Sequence, residues 1–375
     1  MKERVLVAMS GGVDSAVAAA RLLDEGHEVV GMTLHLWDYP EEGEAGSHGR
    51  CCAPEDQYDA RRMAFALGFA HFSFDRRELF EKTVVRPFVD AYLEGDTPSP
   101  CTICNREVKL HELFTIADRL RCTRIATGHY ARIGRDDRGH PILLRGVDRE
   151  KDQSYFLYAS PRAWLERLVF PLGESVKPDV RAEAVRRNLP GATKGESQEL
   201  CFVGAGKGAY ARFVEERAEG RVRPGAIVDA DGREVGRHDG VHRFTVGQRK
   251  GIGVALGEPA FVTEIDAASA TVHLGRDSGL GALEATIDDV HLHESTSLPL
   301  EATARVRYRH SGVAVRVEAT GARSARVRFL GDASAVTSGQ IAVLYDGERV
   351  LGGGRITRVD STRAPRAIEP AVEAA

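Results

Sequence analysis

The stretch Arg4-Val5-Leu6-Val7-Ala8-Met9-Ser10-Gly11-Gly12-Val13-Asp14-Ser15 runs an apolar strand straight into a glycine turn and then a helix. Without Cβ atoms, Gly11 and Gly12 let backbone amides close around an anion. The following helix, from Ser15 to about Glu25, aims its N-terminus and partial positive charge at the same place. Ser10 and Ser15 add hydroxyl donors, and Asp14 can hold a Mg²⁺ ion or orient a nucleotide. Residues 8–15 are therefore predicted to hold phosphate. The Gly-Lys-Ser/Thr ending of a Walker A loop is absent.

Outward from this loop, strand-like and helix-like patterns alternate. Strands are predicted at 4–9, 28–36, 70–74 and 123–127, and helices at 15–25, 55–67, 76–93 and 105–120, with Gly26 and Gly68 at helix C-caps. This alternation predicts an α/β fold with a parallel sheet, whose ligands lie at the carboxyl ends of the strands. Residues 37–54 break the pattern and read as a loop near the site, carrying Cys51 and Cys52. Residues 135–139 read as a hairpin turn. From about Gly204 the texture becomes glycine-rich with short β runs, and from about Ala285 to Val359 it is wholly β. The expected division is a catalytic domain at 1–204, a small linking domain at 205–283, a β-barrel at 284–360 and a disordered tail at 361–375.

At 375 residues the chain is too long for one typical domain, and its 42% apolar and 28% charged residues are ordinary for a globular protein. There is no stretch long enough to span a membrane, and Met1-Lys2-Glu3-Arg4 has no signal-peptide anatomy, so a cytoplasmic location is expected. In that compartment the six cysteines are not expected to form structural disulfides. The spacing Cys101-x-x-Cys104 is one used for redox, metal or cluster chemistry, whereas Cys122, at a helix end, reads as structural. The net charge of −4 argues against nonspecific coating of nucleic acid, yet residues 301–330 hold seven arginines against two glutamates. Arg305, Arg307 and Arg309 alternate with Val306 and Tyr308, which predicts one basic strand face across 302–308.

The string Ser10-Gly-Gly-Val-Asp-Ser15 resembles the pyrophosphate loop of the N-type ATP pyrophosphatases (adenine nucleotide alpha hydrolase-like proteins), which adenylate an oxygen and release pyrophosphate. Further motifs resemble the bacterial tRNA-specific 2-thiouridylases. They include Cys51-Cys-Ala-Pro-Glu-Asp56, Thr97-Pro-Ser-Pro-Cys-Thr-Ile-Cys-Asn105, Ala126-Thr-Gly-His-Tyr-Ala-Arg132 and Lys151-Asp-Gln-Ser-Tyr-Phe156. Ser197-Gln-Glu-Leu-Cys-Phe202, Phe244-Thr-Val-Gly-Gln-Arg-Lys-Gly-Ile-Gly253 and Ser338-Gly-Gln-Ile-Ala-Val-Leu-Tyr345 extend the similarity, which runs from Arg4 to about Arg358.

The resemblance implies ATP-dependent 2-thiolation of the wobble uridine in tRNAs reading Lys, Glu and Gln codons. The C2 oxygen of uridine is a poor leaving group, so AMP is placed on it before sulfur attacks the carbon. By resemblance, Cys201 carries a persulfide supplied by a sulfur-donor protein, a cysteine desulfurase or a sulfur relay. Cys104 is the second catalytic cysteine, closing a transient disulfide with Cys201 or acting at the substrate end. ATP contacts are implied for Ala8, Met9, Ser10, Gly11, Gly12, Val13, Asp14, Ser15, Leu34 and Gly128. Target-base or tRNA contacts are implied for Ser99, Pro100, Cys101, His129, Lys151, Asp152, Gln153, Arg307, Tyr308 and Gln340, and the enzyme is expected to be a monomer.

Two positions depart from one form of the family. Cys101 stands where an aspartate is found, and Ser99 where asparagine is usual. The first departure opens an alternative in which Cys101, Cys104 and Cys201 hold an iron–sulfur cluster, or zinc, with one open position. A reading from another class is a non-catalytic RNA-binding protein with a vestigial ATP site.

Overall fold

The computed structural model describes residues 2–38, 54–192, 200–204, 206, 208–255, 257–276, 280–294 and 296–361. Cys51 and Cys52, Ser197 to Glu199 of the Cys201 motif, and the expected tail from 362 onward lie outside the described residues.

Strands β1 (Arg4–Ala8), β2 (Glu28–His35), β3 (Ala70–Asp75) and β4 (Arg124–Ala126) are followed by the hairpin β5 (Ala131–Arg135) and β6 (Pro141–Arg145), and then by β7 (Leu168–Val169). Five of them make a parallel sheet in the order β3-β2-β1-β4-β7. Side chains alternate across it as the strand period requires. Val5 and Val7 pack with helix α1 (Val13–Asp24) in one core, while Leu6, Met32 and Leu34 join the core on the other face. Helix α1 carries Ala16, Val17, Ala18, Ala19 and Ala20 fully buried, small side chains that bring its axis close to the sheet.

Two helical stretches differ from the expected ones by their winding. The predicted helix 76–93 is continuous but contains a π turn at Glu81–Val85 between Arg77–Phe80 and Arg86–Leu93. The predicted helix 105–120 starts five residues earlier. It runs through Pro100–Ile103, a π segment at Cys104–Leu110 and His111–Arg119, with the fixed φ of Pro100 suited to the first position. Cys101 and Cys104 therefore sit on the helix itself, and Cys104 begins its π segment. Such segments widen the turn and recur at functional sites.

A small mixed sheet follows, with β8 (Gly225–Val228), β9 (Glu234–His238), β10 (Phe261–Asp266) and β11 (Thr271–Gly275) in the order β10-β11-β8-β9. It has its own core around Ile227, Val262, Val272 and Leu274. Strands β12 (Ala282–Leu292), β13 (Leu300–Arg305), β14 (Val313–Gly321), β15 (Ser324–Phe329), β16 (Ile341–Asp346) and β17 (Arg349–Ser361) then form a six-stranded barrel, closed by pairing of β12 with β17. The α/β class, linking sheet and terminal barrel are as expected. What the sequence did not foretell is that hairpin β5-β6 joins the barrel sheet through Leu144 opposite Arg349.

The basic strand is corrected in one respect. Strand β13 ends at Arg305, and residues 306–309 form a turn, so Arg305, Arg307 and Arg309 do not share a strand face. Arg305 is 6% exposed and points into the protein. Outward-facing arginines are instead found on β14 and β15, where Arg316, Arg326 and Arg328 alternate with buried Val315, Val317 and Val327. Glu284 pairs with Arg328 at 2.8 Å and Arg326 at 3.7 Å, and Glu318 with Arg316 at 3.0 Å, so part of that charge is met within the sheet.

Candidate active site

The phosphate loop leaves the carboxyl end of β1. Gly11 has φ +71°, and a Cβ there would lie 2.3 Å from the carbonyl oxygen of Asp56, so only glycine fits between loop and helix Pro54–Leu67. Gly12 caps α1 without any side-chain bond to the helix amides. The hydroxyl of buried Ser15 donates to Gly12 O at 3.0 Å and accepts from Ser10 N at 3.2 Å, closing the turn. Met9 N donates to Met32 O, and Thr33 Oγ1 to Met9 O, which ties the loop to β2 just before Leu34. Gly128, past the end of β4, lies against the first turn of α1, since a Cβ there would be 3.0 Å from the backbone of Asp14 and Ser15. Leu34 is buried at the second-to-last position of β2.

Asp14 has partners that the sequence did not disclose. Lys177 Nζ donates to both carboxylate oxygens, at 2.8 and 2.7 Å, and Tyr130 Oη donates to Oδ1 at 2.9 Å. Lys177 opens the helix Lys177–Arg186, held against α1 by Arg21, whose guanidinium reaches Glu183 Oε2, Pro171 O and Ser175 Oγ. The Lys-Pro pair at a helix start was the only local signal of this element. Its ammonium is 163 residues from Asp14 in sequence yet stands at the helix terminus where phosphate is expected. Thr127 Oγ1 shares a 2.7 Å hydrogen bond with His129 Nδ1. Burial, aided by the positive charge of Lys109, pushes the His129 pKa down to about 3, so the ring is neutral at physiological pH.

The thiols lie beside the opposite core. Cys101 is exposed, Cys104 is 5% exposed and Cys201 half-buried, and the last two pack on the same apolar cluster as Leu34. Cys201 is placed by its neighbour: the Phe202 ring sits 5.5 Å from Phe80, 5.1 Å from Phe88 and 5.3 Å from Phe213, each edge-on or tilted. On the helix, Asn105 Nδ2 donates to Cys101 O, while its buried Oδ1 has no hydrogen-bond partner among the described residues, one residue from Cys104. The segment before the helix is held from the barrel. Thr97 N donates to Ser338 O at 2.9 Å, and Gln340 Nε2 donates to Thr97 O at 2.7 Å.

Among the expected RNA contacts, several side chains are already engaged. Asp152 is 1% exposed, and its carboxylate accepts from Arg145 Nε, Arg305 Nη1 and the amides of Gly146 and Ser154. The Asp152 side chain is thus engaged inside the protein. Gln153 Oε1 accepts from Tyr130 N at 3.0 Å. Gln340 bonds the backbone of Thr97 rather than facing away. Arg307 is exposed on the turn after β13, the Tyr308 ring lies tilted at 4.5 Å from Phe156, and Lys151 is half-buried. Ser99 ends the segment braced by the barrel, and Pro100 is buried at the helix start.

The donor set was weighed against the groups implied by sequence. Among the described residues, no group of three or more His, Cys, Asp or Glu side chains is placed to hold a metal ion. Around Asp14 the companions are a lysine and a tyrosine, which fits an anion such as triphosphate better than a lone cation. Among the described residues no helix is long and apolar enough to cross a membrane.

A parallel-sheet nucleotide-binding domain, a linking sheet and a β-barrel, with a phosphate loop and two motif-borne cysteines, define a class of RNA-modifying ATP-dependent proteins. Family models match in the same order: a tRNA methyl transferase HUP domain over residues 3–205, a tRNA methyl transferase PRC-barrel domain over 211–276 and an aminomethyltransferase β-barrel domain over 284–356. A tRNA-specific 2-thiouridylase of Sorangium cellulosum is 60% identical over 358 residues, covering 94% of this chain and 92% of the relative. That of Solibacter usitatus is 46% identical, covering 95% and 99%, and that of Geotalea uraniireducens 43%, covering 96% and 97%. The chain belongs to the tRNA-specific 2-thiouridylase family.

Proposed function

We propose that this chain is an ATP-dependent tRNA sulfurtransferase that converts the wobble uridine of tRNAs reading Lys, Glu and Gln codons to 2-thiouridine. The observation that carries the reading is the pairing of a phosphate loop, backed by Lys177 and a helix N-terminus, with cysteines held by motif neighbours on one apolar core. A methyl transfer, as the family-model descriptions would have it, needs neither the loop nor the thiols.

In this reading residues 8–15, Leu34 and Gly128 hold ATP, and a Mg²⁺ ion accompanies the phosphates. The uridine O2 attacks the α-phosphorus and pyrophosphate leaves. The loop amides, Ser10, Ser15 and Lys177 receive the charge that develops on the phosphates. Cys201 carries the outer sulfur delivered by a cysteine desulfurase or sulfur relay. Cys104 thiolate attacks Cys201 Sγ, forming a Cys104–Cys201 disulfide and releasing hydrosulfide, which attacks C2 and expels AMP. An external thiol then reduces the disulfide. Burial of Cys104 keeps water from the persulfide exchange. Arg307, Tyr308, Lys151, His129 and the Ser99-Pro100-Cys101 segment present the anticodon loop, whose unpaired uridine is cheap to extrude. The domain division at 204 and 283, a monomeric state and a cytoplasmic setting belong to this same proposal.

The test is anaerobic thiolation of unmodified glutamate tRNA with ATP, Mg²⁺ and a persulfide donor, read as 2-thiouridine by mass spectrometry. Metal-free enzyme is expected to form product, and Cys201→Ser and Cys104→Ser to abolish it. Product only after reconstitution with iron and sulfide would restore the cluster alternative. No product, with no tRNA-dependent pyrophosphate release, would sink thiolation itself.

A further inference from the structure

Gln340, expected as an RNA contact, is half-buried, and its amide nitrogen is engaged with the protein backbone. It lies on the loop 337–340 that leads into β16, and its amide nitrogen reaches 2.7 Å from Thr97 O and 3.5 Å from Pro98 O. The same loop takes Thr97 N on Ser338 O at 2.9 Å, so both backbone groups of Thr97 are bonded to the barrel. Gly339 lets the two segments meet: its φ is +88°, and a Cβ there would stand 2.9 to 3.0 Å from three backbone atoms of Thr97. Two residues on, Ser99 caps the helix that carries Cys101 and Cys104. That helix is held a second time by the barrel, where Arg106 Nη1 donates to Asp289 Oδ2 at 2.8 Å and meets His291 Nε2 at 2.8 Å. The cysteine-bearing turn is therefore pinned in front and behind by one partner.

We infer that Gln340 is a positioning residue, a brace by which the barrel sets the Thr97–Cys101 segment and hence the placement of the catalytic thiol against its substrate. Its amide is engaged with backbone 243 residues away, an arrangement that serves the segment's geometry. A backbone donor–acceptor pair alone would leave Thr97 O without a partner, and an unfixed segment swings its helix start. Because the barrel also carries Arg307 and Tyr308, RNA seated there meets a thiol turn already registered to it. This inference rests on the thiolation reading for its kinetic arm only.

The experiment compares Gln340→Ala and the near-isosteric Gln340→Glu, which cannot donate, with the unaltered enzyme. Three quantities are measured: tRNA Kd by filter binding, single-turnover thiolation at saturating tRNA, and the iodoacetamide alkylation rate of exposed Cys101 located by peptide mass spectrometry. A brace predicts tRNA affinity within about twofold, a single-turnover rate lowered about tenfold, and a Cys101 alkylation rate changed about threefold or more in both variants. A tenfold loss of affinity, an unaltered alkylation rate, or an unaltered single-turnover rate in an enzyme that thiolates would overturn it. Should the chain not thiolate at all, the alkylation arm still decides the brace, and only the functional reading falls.

Discussion

Replacing Asp152 with asparagine tests whether that residue touches RNA or holds what does. Its Oδ1 accepts two backbone amides at 3.1 Å each, and its Oδ2 accepts Arg145 Nε at 3.0 Å and Arg305 Nη1 at 3.1 Å. The side chains of Asp152 and Arg305 are 0% and 8% exposed. In Asp152→Asn the amide oxygen can keep the two backbone donors, but its NH₂ then faces two guanidinium groups. One of these is a buried charge left without a counterion. Breaking such a pair from one side costs about 3–5 kcal/mol.

Arg305 also donates from Nε to His310 O at 3.0 Å and from Nη2 to Tyr308 O, so the cost falls on the turn that carries Arg307 and Tyr308. Expressed as local opening, it corresponds to about two to nearly four decades in the equilibrium constant. Amide hydrogen exchange in residues 306–312 reads it directly, with tRNA affinity measured in parallel. Arg305→Met in the same background removes the stranded charge and is expected to recover part of the protection, because loss of both partners costs less than loss of one. The reasoning is refuted if exchange in the turn stays within about threefold of the unaltered protein while tRNA affinity drops tenfold.

Two more outcomes follow from the site. Lys177→Gln removes the cation beside the phosphate loop and is expected to lower tRNA-dependent pyrophosphate release about 10- to 100-fold with tRNA affinity unaltered, measured by a coupled pyrophosphate assay. His129, with its folded pKa near 3 against 6.5 unfolded, contributes stability that is complete above pH 6.5 and is lost as pH falls from there towards 3, because the unfolded chain binds the extra proton across that window. His129→Gln should therefore lose less stability on acidification, so the gap in thermal midpoint between it and the unaltered protein narrows from pH 7 to pH 5; a constant gap would show that His129 does not titrate this way.

How much the sequence disclosed depended on distance along the chain. The phosphate loop was readable because strand, glycines and helix are contiguous, and each contributes a local signal: the apolar run, the positive φ of Gly11, the free helix start. Strands β1 to β4 and the helices between them followed from period and capping glycines, whereas β7 and the helix Lys177–Arg186 did not. The π segment at Cys104 was hidden, because a widened turn shifts hydrophobic spacing too little to be seen against a 3.6-residue pattern. At Arg305 the period-2 pattern was real but stopped meaning strand one residue later, where a buried carboxylate outcompeted continued pairing. The contact of Lys177 with Asp14 and the β6–β17 pairing gave no local sign, since their partners sit in other segments of the chain.

Partners separated by 153, 163 and 243 residues, Asp152 with Arg305, Asp14 with Lys177 and Thr97 with Gln340, are contacts within the protein that motif matching does not foretell. A motif marks where a side chain is required and is silent on whether it meets the ligand or the group that does. Asp14 is bonded to Tyr130, whose backbone holds Gln153; next to it Asp152 holds Arg305 and the exposed turn; and on the barrel's other side Gln340 holds the cysteine segment. A barrel that moved on its own would break buried charge pairs at one end and misplace the thiols at the other. Phosphate loop, cysteine helix and the exposed turn after β13 are thereby tied to one frame, which fixes their relative orientation.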